Sequence, residues 1–369
     1  MRVAVIHDDL MRRGGGEQVA LSIMKAFPDA ELYTLCYQPE LTYEEFRNYK
    51  IKTSIFQKFV KTEKMMKWLF FPFGLLAMKF LKVKGYDLVI ISGTFCGKYA
   101  NIDIRSRIFL YTYTPFRLAW NPTSYKEFNE SSGLFKILFN LVIKCLRYVD
   151  KREAQKADHY IGMTEETAQR IRNAYGAKEV IILHPPVKCQ NFHVDDYSKK
   201  SYYLVVSRLE FYKKVDLAIE AFNILGYPLV IVGNGSKKNE LMGMANSNIQ
   251  FKSGLTTSDL KKLYANCKAF IFHQHEDYGI TPLEANASGR PVIAYGAGGV
   301  LETMLPYNTG NKKFTSVFFK EQTKEALIEA INSLETIDID SNFIRNHAMR
   351  FDESVFIEKI IQIVQTQVS

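Results

Sequence analysis

Apolar residues in this chain gather in short unbroken runs. Between the runs lie polar stretches in which apolar positions recur every three or four residues. Val3-Ala4-Val5-Ile6 is the first run, and Asp87-Leu88-Val89-Ile90-Ile91-Ser92 is another. Runs of this kind predict parallel strands buried on both faces. Further strands are predicted at 32–36 and 108–112. After the first strand come Gly14-Gly15-Gly16-Glu17 and a helical pattern through Val19, Leu21, Ile23, Met24 and Phe27. Strand, glycine turn and helix together make a βα unit that suits phosphate.

The pattern restarts after Leu183-His184-Pro185-Pro186-Val187, where two prolines make a stiff linker. Strands are predicted at 202–206, 228–232, 249–251 and 269–272, with helices at 214–225 and 258–265. Gly233-Asn234-Gly235 reads as a tight strand-to-helix turn. The stretch 354–368 carries Val355, Phe356, Ile360, Ile361, Ile363 and Val364, and predicts a terminal amphipathic helix. Strands alternating with helices predict two doubly wound α/β domains, residues 1–187 and 188–350. A length of 369 residues also exceeds one ordinary core. Ligands of such sheets bind beyond the carboxyl ends of the strands, so the expected site is a cleft between the halves. Loops 14–16, 112–117, 208–213 and 276–284 would meet there.

Composition narrows the classes. A formal charge of +9 suggests an acidic partner: nucleic acid, anionic lipid or a phosphorylated substrate. The basic residues cluster beside apolar runs rather than in an RNA-binding pattern, which argues against a nucleic-acid or polyanion binder. The five cysteines are scattered, odd in number and without metal-type spacing, as reduced thiols in a cytosolic setting would be. No signal peptide is read at the start, because the first apolar run is too short and meets His7-Asp8-Asp9. A dinucleotide-dependent oxidoreductase would share the layered fold, but Gly14-Gly15-Gly16 lacks the Gly-x-Gly-x-x-Gly spacing.

The candidate chemistry lies in Glu276-Asp277-Tyr278-Gly279-Ile280-Thr281-Pro282-Leu283-Glu284. Glu276 follows a predicted strand. Pro282 suits a first helical turn, which places Glu284 in that turn. The amides of Tyr278, Gly279 and Ile280 would form a helix N-terminus that attracts anions. Two carboxylates beside an anion site suit a ligand with both phosphates and hydroxyls. A glycosidase would also need paired carboxylates, but Arg208 and Lys213 have no role in that chemistry. His273 and His275 would share a face if the strand continued. No third ligand stands at suitable spacing, so no metal is expected.

Two further stretches are basic and apolar. In 58–84, Lys58, Lys61, Lys64, Lys67, Lys79, Lys82 and Lys84 surround an apolar run from Trp68 to Met78. The run is shorter than the ~20 residues of a spanning helix, and Pro72 and Gly74 interrupt it. It reads as an interfacial segment for an anionic membrane surface, against the alternative of a core helix with a solvated basic face. Residues 134–148 are a second candidate.

The chain resembles a retaining glycosyltransferase of family 4, with the GT-B fold. The resemblance rests on Ser207-Arg208-Leu209-Glu210-Phe211-Tyr212-Lys213, matching Arg-Leu-x-x-x-Lys, and on the spacing of Glu276 and Glu284. His7-Asp8 with Gly15-Gly16 matches the family less tightly, and Tyr113-Thr114-Pro115-Phe116-Arg117, the linker His184-Pro185-Pro186-Val187 and the stretch from Ala294 to Thr303 resemble the O-antigen mannosyltransferase branch. Many relatives carry histidine where this chain has Tyr113. The resemblance implies that Arg208 and Lys213 hold the donor diphosphate and that Glu284 accepts from the ribose. Glu276 would contact the transferred sugar, and Tyr278, Gly279 and Ile280 would line the sugar and phosphate end. Gly15 and Gly16 would approach phosphates or acceptor from the first domain, with Tyr113 near the donor sugar. It further implies a terminal helix, 351–369, packing back on the first domain, and catalysis without a metal or other cofactor. The expected donor is GDP-mannose, with a UDP-sugar second, and the acceptor a glycan or lipid-linked molecule. The expected place is the cytoplasmic face of the membrane, in polysaccharide or lipopolysaccharide assembly.

Overall fold

A computed structural model of the chain describes residues 1–124, 126–130, 132–195, 201–308 and 313–368. The side chains of residues 67, 68, 124, 126, 127 and 368 lie outside the described residues. The chain divides into two compact units, Met1–Pro186 with Phe356–Ser369, and Val187–Val355.

The first unit is built on a seven-stranded parallel sheet. Its strands are β1 (Val3–His7), β2 (Glu31–Thr34), β3 (Ile51–Thr53), β4 (Leu88–Gly93), β5 (Arg107–Thr112), β6 (His159–Gly162) and β7 (Ile181–Ile182). They lie in the order β3-β2-β1-β4-β5-β6-β7. Period-two alternation divides the core into two layers. Ala4, Ile6, Val89, Ile91 and Leu110 pack on one face. Val5, Leu88, Ile90 and Phe109 pack on the other. The terminal helix Glu353–Val368 adds Phe356, Ile360 and Val364, one residue per turn, to the second layer. Its apolar stripe is covered by the first unit, as the GT-B resemblance implied.

The second unit carries β8 (Tyr203–Val206), β9 (Leu229–Val232), β10 (Ile249–Lys252), β11 (Ala269–Phe272), β12 (Val292–Tyr295) and β13 (Ser316–Phe319). All pair in parallel, in the order β10-β9-β8-β11-β12-β13. The same alternation sends Tyr203, Val205 and Ile271 to one face and Leu204, Phe270 and Phe272 to the other. Each unit is a Rossmann-like doubly wound domain, and two such domains in one chain make the GT-B architecture. In both sheets the first strand sits between the second and the fourth. The switch points are therefore the carboxyl ends of β1 and β4, and of β8 and β11.

In these two sheets, β3, β6, β7 and β13 escaped the sequence pattern. β3 and β7 are only three and two residues long. β6 begins with His159, and β13 with Ser316, so neither reads as an unbroken apolar run.

Candidate active site

At the switch point of the second unit, β8 runs into Ser207-Arg208-Leu209 and β11 into His273-Gln274. Ser207 Oγ donates to Gln274 Oε1 at 3.0 Å, tying the two exits together. Leu209 is fully buried and anchors the loop, whereas Arg208 is exposed and lies 5.8 Å from the Tyr212 ring centre. A Cβ on Gly233 would stand 1.9 Å from the Ser207 carbonyl oxygen, and one on Gly235 2.3 Å from that of Leu209. The Gly233-Asn234-Gly235 segment thus does more than turn the chain. It lets the loop after β9 lie directly on the loop after β8.

A single turn of 3-10 helix, Phe211–Lys213, follows. Lys214 then takes φ 51°, ψ 41°, the left-handed region that costs a side-chain-bearing residue energy. That turn buries Lys213, whose ammonium forms an ion pair with Glu276. The structure therefore brings together two residues expected to grip different parts of one ligand. Arg208 forms no ion pair among the described residues.

Glu276 is held from behind. Gly299 N donates to its carbonyl at 2.9 Å. A Cβ on Gly298 would come within 2.2 Å of that same oxygen, and one on Gly299 within 2.4 Å of Tyr278 Cα. In the sequence this glycine pair stands out only by resemblance, yet it seats the whole Glu276–Tyr278 segment. Tyr278 is buried in the core beside Phe272 and Leu283.

Gly279, at φ 93°, is the N-cap of helix Ile280–Ala287. The helix starts two residues before Pro282, because the left-handed glycine turns the chain early. Glu284 accordingly falls in the second turn, not the first as expected. Its Oε2 accepts a hydrogen bond from Tyr264 Oη at 2.8 Å. Burial pushes the Glu284 carboxyl up to about 7, with the Tyr264 bond opposing the shift.

His273 is buried, close to the Lys213 backbone. Burial lowers it to about 4, so the ring is neutral. His275 is exposed. The strand ends at Phe272, so the two histidines do not share a face. Among the described residues no group of three or more His, Cys, Asp or Glu could hold a metal ion.

Gly15, Gly16 and Tyr113 lie in the first unit, near its own switch point. Asp8 leaves the end of β1 and accepts backbone N–H groups from Thr94 (2.6 Å), Phe95 (3.1 Å), Cys96 (2.8 Å) and Gly97 (2.8 Å). His7 Nδ1 donates to Ser92 O at 2.7 Å. Tyr113 Oη donates to Gly16 O at 2.9 Å and takes a 2.6 Å bond from Ser92 Oγ. A Cβ on Gly16 would meet the Tyr113 ring at 2.9 Å. Tyr113 therefore fastens the start of helix Gly15–Ala26 to β4. Beside it, burial raises the carboxyls of Asp9 and Glu17 despite the attraction of Arg12. Arg12 pairs with Asp9 and approaches Glu17 to 3.3 Å. Nothing in the sequence distinguishes Asp9, Arg12 or Glu17, since only burial makes a short acidic cluster unusual.

Residues 190–351 match the family model for glycosyl transferases group 1. The chain is 23% identical to the alpha-1,3/1,6-mannosyltransferase ALG2 of Saccharomyces cerevisiae, over 94% of this chain and 80% of that one. It is 28% identical to O-antigen chain mannosyltransferase C of Escherichia coli, over 42% of each. In fold it matches Anabaena HepE, solved in complex with UDP, at a TM-score of 0.71 and 14% identity, over 99% of this chain and all of that one. The chain is a GT-B-fold glycosyltransferase related to mannosyltransferase-like enzymes. In this glycosyltransferase the second unit holds the Lys213–Glu276 pair and the Ile280–Ala287 helix start, and most of it lies inside the matched region.

Proposed function

We propose that this is a retaining glycosyltransferase of family 4 that moves a hexosyl unit, mannosyl by first choice, from a nucleotide diphosphate sugar to a glycan or lipid-linked acceptor. It would act at the cytoplasmic face of an anionic membrane. The observation that carries the reading is the pairing of Lys213 with Glu276 at the β8–β11 switch point, beside a helix N-terminus. A cation, a carboxylate and a positive dipole end make a site for a ligand that is anionic at one end and hydroxylated at the other.

In this reading Lys213 and Arg208 face the diphosphate. As the C1–O bond to the donor breaks, negative charge grows on the leaving diphosphate. Fixed cations aimed at that charge are worth about 3–4 kcal/mol each. Glu276, released from Lys213, accepts from hydroxyls of the sugar. Glu284 accepts from the ribose, and Tyr278, Gly279 and Ile280 line the sugar and phosphate end. Gly15 and Gly16 would serve donor phosphates or acceptor, and Tyr113 the donor sugar, as the resemblance implies. The acceptor oxygen attacks C1 on the face the leaving group departs from, and its proton passes to a donor phosphate oxygen. No protein base and no metal are then needed. Mannosyl transfer is favoured by the relatives named for it, and GDP-mannose is the first donor to test. A UDP-sugar is second, because the fold neighbour was solved with UDP.

A thermal-shift and hydrolysis panel of GDP-, UDP- and ADP-sugars tests the reading. One nucleotide should raise Tm and release its sugar. Equal, negligible responses to all three would contradict it.

A further inference from the structure

Helices Glu63–Leu69 and Leu75–Phe80 meet at a break in the helix at Phe71. They bury Met66, Ala77 and Met78 in the core of the first unit. Other apolar side chains of the segment face outward: Phe73 is 59% exposed, Leu76 53% and Phe80 74%. With Ile55, Phe56 and Phe59 these side chains line an open groove of about 380 Å³. That volume lies in the ~300–1,000 Å³ range of ligand pockets. The lining is hydrocarbon throughout. It offers no polar group to orient a sugar or a nucleotide, so the groove is not part of the donor site.

The surrounding charge says what would fill it. Lys58, Lys61, Lys64 and Lys82 flank the groove in sequence and are exposed. Among the described residues none of the four forms an ion pair. Lys79 instead bridges to Glu153 at 2.9 Å, joining this segment to helix Gly133–Ala154. That helix exposes Leu134, Phe135, Ile137 and Leu138, each 56% or more. No described helix is long and apolar enough to cross a membrane. Unpaired cations beside exposed hydrocarbon complement an amphiphile with an anionic head.

We propose that the groove binds the hydrocarbon chain of a lipid phosphate, with the unpaired lysines at its rim holding the phosphate. The inference rests on the lipid-linked acceptor proposed above and gives that acceptor a place on the first unit.

Equilibrium dialysis of the full chain against radiolabelled decyl phosphate, below its micelle concentration, tests this. Inorganic phosphate and decanol are the parallel arms. Decyl phosphate should bind at least tenfold tighter than either. The double variant Leu76→Ser with Phe80→Ser, both surface positions, should weaken decyl phosphate at least tenfold and leave nucleotide-sugar hydrolysis unchanged. Lys61→Gln with Lys64→Gln should weaken decyl phosphate and not decanol. Equal affinity for inorganic and decyl phosphate would overturn the proposal. So would unchanged binding in the groove variant, or self-association of the chain with no decyl phosphate bound. Chain binding without sugar transfer to any lipid phosphate would sink the acceptor reading and leave the groove standing. Transfer to a lipid phosphate at full rate, with no binding in the groove, would do the reverse.

Discussion

Lys213 and Glu276 neutralise each other in the unliganded protein. An entering diphosphate must compete with Glu276 for the ammonium. Glu276→Gln should therefore tighten binding of the free nucleoside diphosphate severalfold while lowering sugar turnover, as calorimetry and initial rates would show. Weaker diphosphate binding in that variant would contradict the pairing argument. Lys213→Ala should lower kcat by about 10²–10³, the usual cost of one charge-stabilising donor. Glu284 gives a pH signature. Burial raises its carboxyl to about 7 from an ordinary 4.5. A raised acid contributes stability that is fully present below about 4.5 and is lost as pH rises through 7. Glu284→Gln should thus raise Tm relative to wild type at pH 8 and change it little at pH 5. Ribose hydroxyls favour the ionised form, so donor KM should rise as pH falls below about 7, by up to tenfold per unit. The variant should lose that dependence.

At the scale of elements, the glycine contacts set the loops. Gly298→Ala forces a Cβ into the Glu276 carbonyl at a backbone φ of +76°. It should cost about 1–3 kcal/mol, as overpacking does, read from the urea midpoint, and lower turnover together with stability. The strands and the Glu276–Glu284 spacing were legible because parallel strands demand apolar runs and because a glycine before a proline-bearing helix is a local signal. The close approach of Gly298 to Glu276, and of Gly233 to Ser207, was not legible. It joins segments far apart in the chain, and no local pattern records it. Glu284 lies one turn further along its helix than the sequence predicts, because the left-handed Gly279, not Pro282, starts the helix.

For the whole molecule, the two-domain organisation followed from the restart of the pattern after Pro185-Pro186. What the sequence did not reveal was the buried acidic cluster of Asp9 and Glu17 in the first unit, which exists only once β1 and helix Gly15–Ala26 are packed. The terminal helix belongs to the first unit although it follows the second in the chain. Ile360→Ala should cost about 2–5 kcal/mol, the usual price of a truncated core side chain. Hydrogen exchange should show the loss in β1 and β4 rather than in β8 and β11. Saturating nucleoside diphosphate should instead protect residues 207–213 and 276–284 of the second unit.

The most direct measurement is proton NMR of the sugar product formed from GDP-mannose or the donor the panel selects, read at early times before mutarotation. The account predicts that the product keeps the α configuration of the donor and that Lys213→Ala slows its formation by about 10²–10³. A β product, or no sugar released from any nucleotide donor, would contradict it.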